Sequence, residues 1–416
     1  MPFTPRPTVL DIEAPSVDSA RMRRAGRELL SLALMDSRNH TLRWIGAFEQ
    51  ALSTPELDVP QAKDLSPPLW ELGHLGWFQE RWIARNVQRQ RGARCDPTQS
   101  RLPSVLPDAD RSYDPAEVSH AGRWKLELPD LQATKQYLVE TLETTLDLLE
   151  STPADDDDAL YFYRLALFHE DMRCEHFAQM SQTLGFDAGL LSAPAAINAR
   201  DPLLFPATRW PLGCEPGGFV FDNEKWVHEV ELPEFEIDAQ PVTWAQYAEF
   251  VEDGGYDARE FWHPQAWEWL QREGRRSPRH VDQLRHGVLQ QRLGKLMRVP
   301  MAQPVVHVSW HEADAWCRWA GRRLPSEVEW EAAAHQGASR GFRWGDVWEW
   351  TASTFRPYPG FVPGPQREYS QAAFGTHKVL RGASFATRGR MRSAKFRHFQ
   401  SPERDDLFCG FRSCAL

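Results

Sequence analysis

The stretch "LALFHEDMRCEHFAQM", residues 165–180, decides how the first half of the chain reads. With Tyr161 just upstream, Leu165, Phe168 and Met172 recur at helical spacing and form one apolar stripe. At about 100° per residue, His169 and His176 fall within roughly 20° of each other at the stripe's edge. Histidines that chelate one ion normally stand at i,i+4. The position one turn after His169 is instead Arg173, which cannot be a ligand, and the i,i+7 pair is separated by about 10 Å along the axis. Two readings stand open: a metal-binding helix with an altered ligand set, or a helix with boundary histidines beside an ion-paired face.

Working outward, residues 20–185 read as helices. "DSARMRRAGRELLSLALMDSRNHTLRWIGAFEQAL" (18–52) is one amphipathic run. "SPPLWELGHLGWFQERWIARNV" (66–87) opens with Ser66 as N-cap and Pro67 in the first turn, where a missing N–H costs nothing. "LPDLQATKQYLVETLETTLDLLE" (128–150) is a third run. The fourth follows the acidic "TPADDDD" (152–158) and closes at Gly185. Four such helices predict an up-down bundle. From about residue 200 the texture changes to short strands, Trp, Gly and Pro. "WVHEVELPEFEID" (226–238) and "HKVLRGASF" (377–385) alternate as strands do. Helices remain readable in "TWAQYAEFVEDG" (243–254), "SWHEADAWCRWAG" (309–321) and "LPSEVEWEAAAH" (324–335). The seam is "GFDAGLLSAPAAINARDPLLFP" (185–206). The chain is therefore expected to be α+β, with a helical unit over 1–198 and a mixed unit over 199–416.

The 416 residues are long for one core and also suggest two units. With 42% hydrophobic and 25% charged residues, the composition is that of an ordinary globular protein. A net charge of −10 argues against nucleic-acid or membrane-surface partners. No apolar run is long enough for a membrane span, and "MPFTPRPTVLDIEAP" (1–15) lacks a secretory signal's apolar core. The six cysteines form no CxxC pair, so a cysteine zinc site is not expected. The expectation is a cytoplasmic protein with reduced thiols. The 18 tryptophans suit pockets with aromatic walls.

His74, in "LWELGHLGWFQERW" (69–82), shares the buried face of the second helix with Trp70, Trp77 and Arg81. A lone histidine there is usually a hydrogen-bonded core residue. Inward histidines on two helices of one bundle tip the balance toward a metal, because bundle cores recruit ligands from facing helices.

Four later segments, "QPVVHVSWHEADAWCRWAGRRLPSEVEWEAAA" (303–334), "DVWEWTAS" (346–353), "KVLRGASF" (378–385) and "DDLFCGFRSCA" (405–415), occur in a telling order. Together they closely resemble the formylglycine-generating-enzyme (sulfatase-modifying factor) domain, a C-type-lectin-like fold, over roughly residues 205–416. The helical half, with "WELGHLGWF" and "FHEDM", resembles a DinB-like four-helix bundle. That pairing is similar to the iron-dependent ergothioneine sulfoxide synthase family. "SPPLWELGHLGWFQERWIARN" (66–86), "RSYDPAEVSHAGRW" (111–124) and "STFRPYPGF" (353–361) resemble its selenoneine-forming branch. The resemblance implies Fe(II) held by His74, His169 and a third ligand. Arg173 stands at the third position and Glu175 keeps the motif's carboxylate, so His176, Glu175 or water must complete the set, with His176 preferred for its shared face.

The resemblance also implies site residues in the second half. The family's proton-donating tyrosine corresponds to Phe355, with Tyr358 as the second tyrosine of that pattern. Its "R-N-W-D" segment corresponds to Arg397, His398, Phe399 and Gln400, so a donor-binding carboxylate is here an amide. That change suits a neutral, hydroxyl-rich donor such as a selenosugar. The other substrate implied is hercynine, whose quaternary ammonium aromatic faces hold best; Tyr358 and Phe399 are the expected faces, with His398 as a polar contact. Met172, Arg173 and Arg123 are further expected substrate contacts, although Arg123 also reads as a solvent-facing loop residue. Dioxygen is the implied oxidant. The expected reaction is C–Se bond formation between hercynine and a 1-seleno-sugar. Alternatives are a sulfoxide synthase with a thiol donor and a ligand-binding protein with a decayed metal site. Formylglycine generation is disfavoured, because no cysteine lies between Cys317 and Cys409.

Overall fold

The computed structural model describes residues 18–416; the opening stretch read for a secretory signal lies outside them. The helices are α1 (Ser19–Arg23), α2 (Arg27–Ala51), α3 (Pro68–Trp82), α4 (Ala109–Tyr113), α5 (Leu131–Glu150) and α6 (Asp157–Leu184), then α7 (Trp244–Glu252), α8 (Pro264–Glu273), α9 (Trp310–Trp319) and α10 (Glu327–Gln336). Strands β1 (Leu203–Phe205), β2 (Thr208–Leu212), β3 (His228–Leu232), β4 (Phe235–Ile237), β5 (Val281–Gln283), β6 (Val288–Arg292), β7 (Lys295–Val299), β8 (Trp348–Thr354), β9 (Lys378–Gly382), β10 (His398–Gln400) and β11 (Cys409–Phe411) follow the bundle. The α+β architecture is as expected: a helical first half, then a mixed second half. Among the described residues no helix is long and apolar enough to cross a membrane.

Helices α2, α3, α5 and α6 form the bundle. The single run expected over 18–52 breaks, because Gly26 caps α2 and the Arg27 N–H donates to the Ala154 carbonyl at 3.0 Å. Ser66 is not the cap of α3; Pro67 holds that place, and the Ser66 hydroxyl accepts from Arg123 Nη1 instead. The helix also stops at Trp82, short of the expected 87. Helix α6 begins on Asp156, whose carboxylate accepts from the N–H groups of Asp158 and Ala159, and ends at Gly185 with φ 77°, as read.

In the second half the strand expected over 226–238 splits at Pro233 into β3 and β4, which pair with β2 and β1 respectively. The main sheet has the order β10-β9-β8-β11, antiparallel except for the β8–β11 pair. Ser309 and Ser326 cap α9 and α10 through reciprocal bonds with Glu312 and Glu329. Helix α8, "PQAWEWLQRE", is not among the helices read from the sequence.

The halves are joined by ion pairs and by aromatic packing. Arg23 makes a two-pronged contact with Glu224 at 2.6 and 2.9 Å, and Arg390 makes another with Asp171 at 2.6 and 2.8 Å. Phe168 and Phe219 rings lie 5.2 Å apart across the junction. Paired Arg forks of this kind set register as well as adding energy.

Candidate metal centre and its cavity

A cavity of about 360 Å³ opens between the bundle and the main sheet. Its bundle wall is one face of α6, where His169, Met172, Arg173, His176 and Gln179 follow at helical intervals.

His74 and His169 meet inside it, Nε2 to Nε2 at 3.3 Å. His74 is held from behind: its Nδ1–H donates to the Tyr113 carbonyl at 2.9 Å, which leaves Nε2 with its lone pair facing His169. Its ring stacks between Trp70 and Trp77, and Phe78 stacks on His169 at 3.7 Å. The glycines of "WELGHLGWF" make this possible. A Cβ on Gly73 would lie 2.3 Å from the Tyr113 ring, so only glycine lets that residue bring its carbonyl to His74.

Both imidazoles are kept neutral. Burial, then the Arg173 charge, pushes His74 down to about 3 and His169 well below its usual value. Neutral imidazole is the form that ligates metal. The 3.3 Å spacing is the span of two bonds of ~2.1 Å to one ion meeting at roughly 100°. The pair therefore fits a metal ion. The third expected ligand does not join them: His176 lines the cavity, but among the described residues no three His, Cys, Asp or Glu side chains converge on one ion. The open alternative Glu175 is already occupied. Its carboxylate accepts from Trp348 Nε1 at 2.7 Å, Ser384 Oγ at 2.6 Å and Thr387 Oγ1 at 2.7 Å, and so bolts α6 to the second half.

Arg173 is explained by Glu71, which sequence reading missed. Glu71 is fully buried on α3, one turn before His74, with Oε2 3.3 Å from Arg173 Nη1 and Oε1 3.3 Å from Arg123 Nη1. Burial alone would raise its pKa; Arg173, His176 and Arg123 outweigh that and hold it down to about 2. Arg123 is no solvent-facing loop residue. It lies 3.8 Å over the Trp70 ring, donates to Ser66 Oγ at 3.1 Å, and is pushed down to about 10 by burial against the pull of Glu71. Two guanidiniums and one carboxylate thus leave a net positive, donor-rich corner beside the histidine pair.

On the opposite wall β10 sorts the expected substrate contacts by its alternation. His398 and Gln400 line the cavity, and burial pushes His398 down to about 3, with Arg404 and His377 adding to it. Phe399 points to the other face, stacked on Phe355 at 4.2 Å. Four residues expected in the site therefore lie outside its lining. Phe355 is fully buried against Val379 and Ala373. Tyr358 donates to Glu327 Oε2 at 3.2 Å, beneath the Arg397 guanidinium, which pairs with Glu327 at 2.7 and 2.9 Å. The cavity has another tyrosine: Tyr369, whose hydroxyl donates to Met172 Sδ at 3.9 Å and whose pKa burial raises well above 10. Trp348 and Phe396 supply its aromatic wall, and Glu368 a carboxyl group that burial raises. Tyr369 and Glu368 sit in an aperiodic loop, where spacing carries no signal.

Two family models match the chain, one in each half. The sulfatase-modifying factor enzyme 1-like domain matches residues 206–346 and 343–415, and the DinB superfamily matches 40–181. Proteins named hercynine oxygenase are similar along nearly the whole chain. That of Mycolicibacterium smegmatis is 32% identical over 93% of this chain and 98% of its own length. That of Mycobacterium tuberculosis is 32% identical over 92% and 98%. The formylglycine-generating enzyme of Streptomyces coelicolor is 34% identical over 36% of this chain and 52% of its own.

Proposed function

The chain belongs to the family of the mycobacterial hercynine oxygenases, and on that footing we propose that it joins hercynine to a 1-seleno-sugar in an Fe(II)- and oxygen-dependent reaction. In this reading residues 1–198 bind the iron and 199–416 complete the substrate site. One C–H and one Se–H bond are given up, one C–Se bond forms, and dioxygen supplies the selenoxide oxygen and one water.

The observation that carries the reading is the corner formed by Arg123, Ser66, Glu71 and Arg173 beside the His74–His169 pair. Its donors suit sugar hydroxyls, and its one carboxylate is already shared between two guanidiniums, so it has little to offer an amino-acid ammonium. Gln400, an amide on the cavity wall, is neutral in the same way. Iron, when held by His74 and His169, would activate dioxygen for attack on the otherwise unreactive imidazole carbon. Tyr369 stays protonated at neutral pH, and its hydroxyl, beside Met172, would serve as the cavity's proton donor. Trp348, Phe396 and Tyr369 offer faces to a quaternary ammonium. They replace the Tyr358 and Phe399 faces.

One observation favours a thiol donor bearing an ammonium: Glu368 is a cavity carboxyl group. The test is donor choice. With hercynine fixed, and selenosugar, thiosugar, cysteine and γ-glutamylcysteine offered separately under air, the selenosugar is expected to turn over fastest. Losing a charge-assisted contact weakens an ammonium donor by about 1.5–3 kcal/mol, roughly tenfold or more. Faster turnover with γ-glutamylcysteine would replace this reading with a sulfoxide synthase. No turnover with any donor in iron-loaded protein would leave the decayed-site reading.

A further inference from the structure

A second cavity, of about 280 Å³, shares no lining residue with the first. Its walls are the end of α6 and the chain beyond (Gln182, Leu191, Pro194), the β6–β7 hairpin, and the rings of Phe385 and Phe408. The hairpin is firmly seated. Gln182 donates to the Gln291 carbonyl at 2.7 Å and accepts from the Leu293 N–H at 2.9 Å. Gly294 meets Gly185 so closely that a Cβ there would lie 2.0 Å from the Gly185 carbonyl oxygen.

Beside this space, whose lining also includes Asp187 and His307, the hairpin holds two donors with nothing to bond. Gln290 is fully buried, and its Oε1 accepts from Arg292 Nε at 2.7 Å. That bond fixes the amide's orientation and leaves Nε2 buried without a partner. Arg292 Nη2 is buried without a partner too. No carboxylate offsets the burial of Arg292, whereas Lys295 of the same wall faces Asp187 at 3.4 Å. Orphaned buried donors and a half-buried guanidinium with no carboxylate beside it are both costly. A carboxylate has two oxygens for these two N–H groups, and Arg with an amide is a natural cradle for it. Leu191, Met297, Phe385 and Phe408 would cover an apolar body attached to it.

We propose that this cavity is a binding site for a small monocarboxylate with an apolar body, the carboxylate resting on Arg292 and Gln290. A phosphate would bring a second negative charge into a cavity whose other cation, Lys295, already faces Asp187, and an alcohol would leave the guanidinium unpaired.

Titration calorimetry on the full chain tests this with hexanoate as probe and with hexanol and inorganic phosphate as comparisons. Hexanoate should bind saturably, one per chain, with the other two at least tenfold weaker. Arg292→Met should weaken hexanoate at least tenfold and Arg292→Lys less. Arg123→Met, which alters the first cavity, should leave hexanoate binding unchanged. Melting curves establish that each variant is folded. Should Arg292→Met fail to fold, Gln290→Leu carries the comparison, with at least threefold weakening expected. The proposal is overturned by absence of saturable binding, by hexanol or phosphate binding as well as hexanoate, by unchanged affinity in the Arg292 or Gln290 variants, or by loss of binding in Arg123→Met.

Discussion

At the scale of single residues, the molecule turns on an arginine standing where a third histidine would complete a helical ligand pair. Arg173 does not leave the site idle. It pairs with Glu71, and burial, with its charge added, lowers the proton affinity of His74 and His169, so both imidazoles are ready to ligate at neutral pH. We expect His74→Ala and His169→Ala each to lose more than nine-tenths of the iron retained after Fe(II) loading and desalting, with unchanged far-UV circular dichroism. His176→Ala should keep most of it, since His176 stands apart from the pair. Metal analysis of the three variants decides; equal loss in His176→Ala would restore a three-histidine site.

At the scale of elements, α3 is the piece that assembles the centre. Its two glycines admit Tyr113 and Tyr137, and Tyr113 in turn orients His74. Gly73→Ala places a methyl group against a buried ring, and overpacking of this kind costs about 1–3 kcal/mol. The expected result is a lower urea midpoint together with weaker iron retention, because the displaced ring belongs to the residue whose carbonyl holds Nδ1. Iron retention equal to wild type alongside the stability loss would show that the Tyr113 carbonyl is not needed to set the ligand.

For the whole molecule, the junction between the halves is the device that closes the cavity. Glu175→Ala would strip three buried donors of their acceptor, at about 1–3 kcal/mol for each left unsatisfied. We expect a marked drop in melting temperature, with substrate turnover lost before iron, since Glu175 is no ligand. Iron lost in step with Glu175→Ala would contradict that. Acid should also loosen the fold. Burial pushes His398 down to about 3, and His40, His280 and His311 to about 4. The unfolded chain, with ordinary histidines near 6.5, then binds more protons than the folded one between these values. The contribution is thus whole above pH 6.5 and is lost as pH falls toward 4. Glu312, raised by burial to about 6, acts oppositely between pH 6 and its ordinary 4.5, as do the raised Glu175, Asp222, Glu368 and Asp405, while the lowered His74, His169, His176 and His307 add to the histidine side. Urea midpoints measured at pH 7.5, 6 and 5 should fall in that order; a flat series would refute the argument.

Reading the chain alone was enough for the strongly periodic helices of the first half. The period of α6 and its stop at Gly185 depend on residues within a few turns of each other. So does the inward placing of His74. The two-part architecture followed from the change in periodicity near residue 200. What the tertiary structure decided were the partnerships. Glu71 answers Arg173 across two helices, and Glu175 serves Trp348, Ser384 and Thr387 about two hundred residues away instead of a metal. Tyr369, not Tyr358, faces the cavity, and the alternation of β10 turns Phe399 away while presenting His398 and Gln400. Each depends on which surfaces meet when distant elements pack. Local spacing can say that a carboxylate or a ring is available, but only packing determines whether a partner has already claimed it.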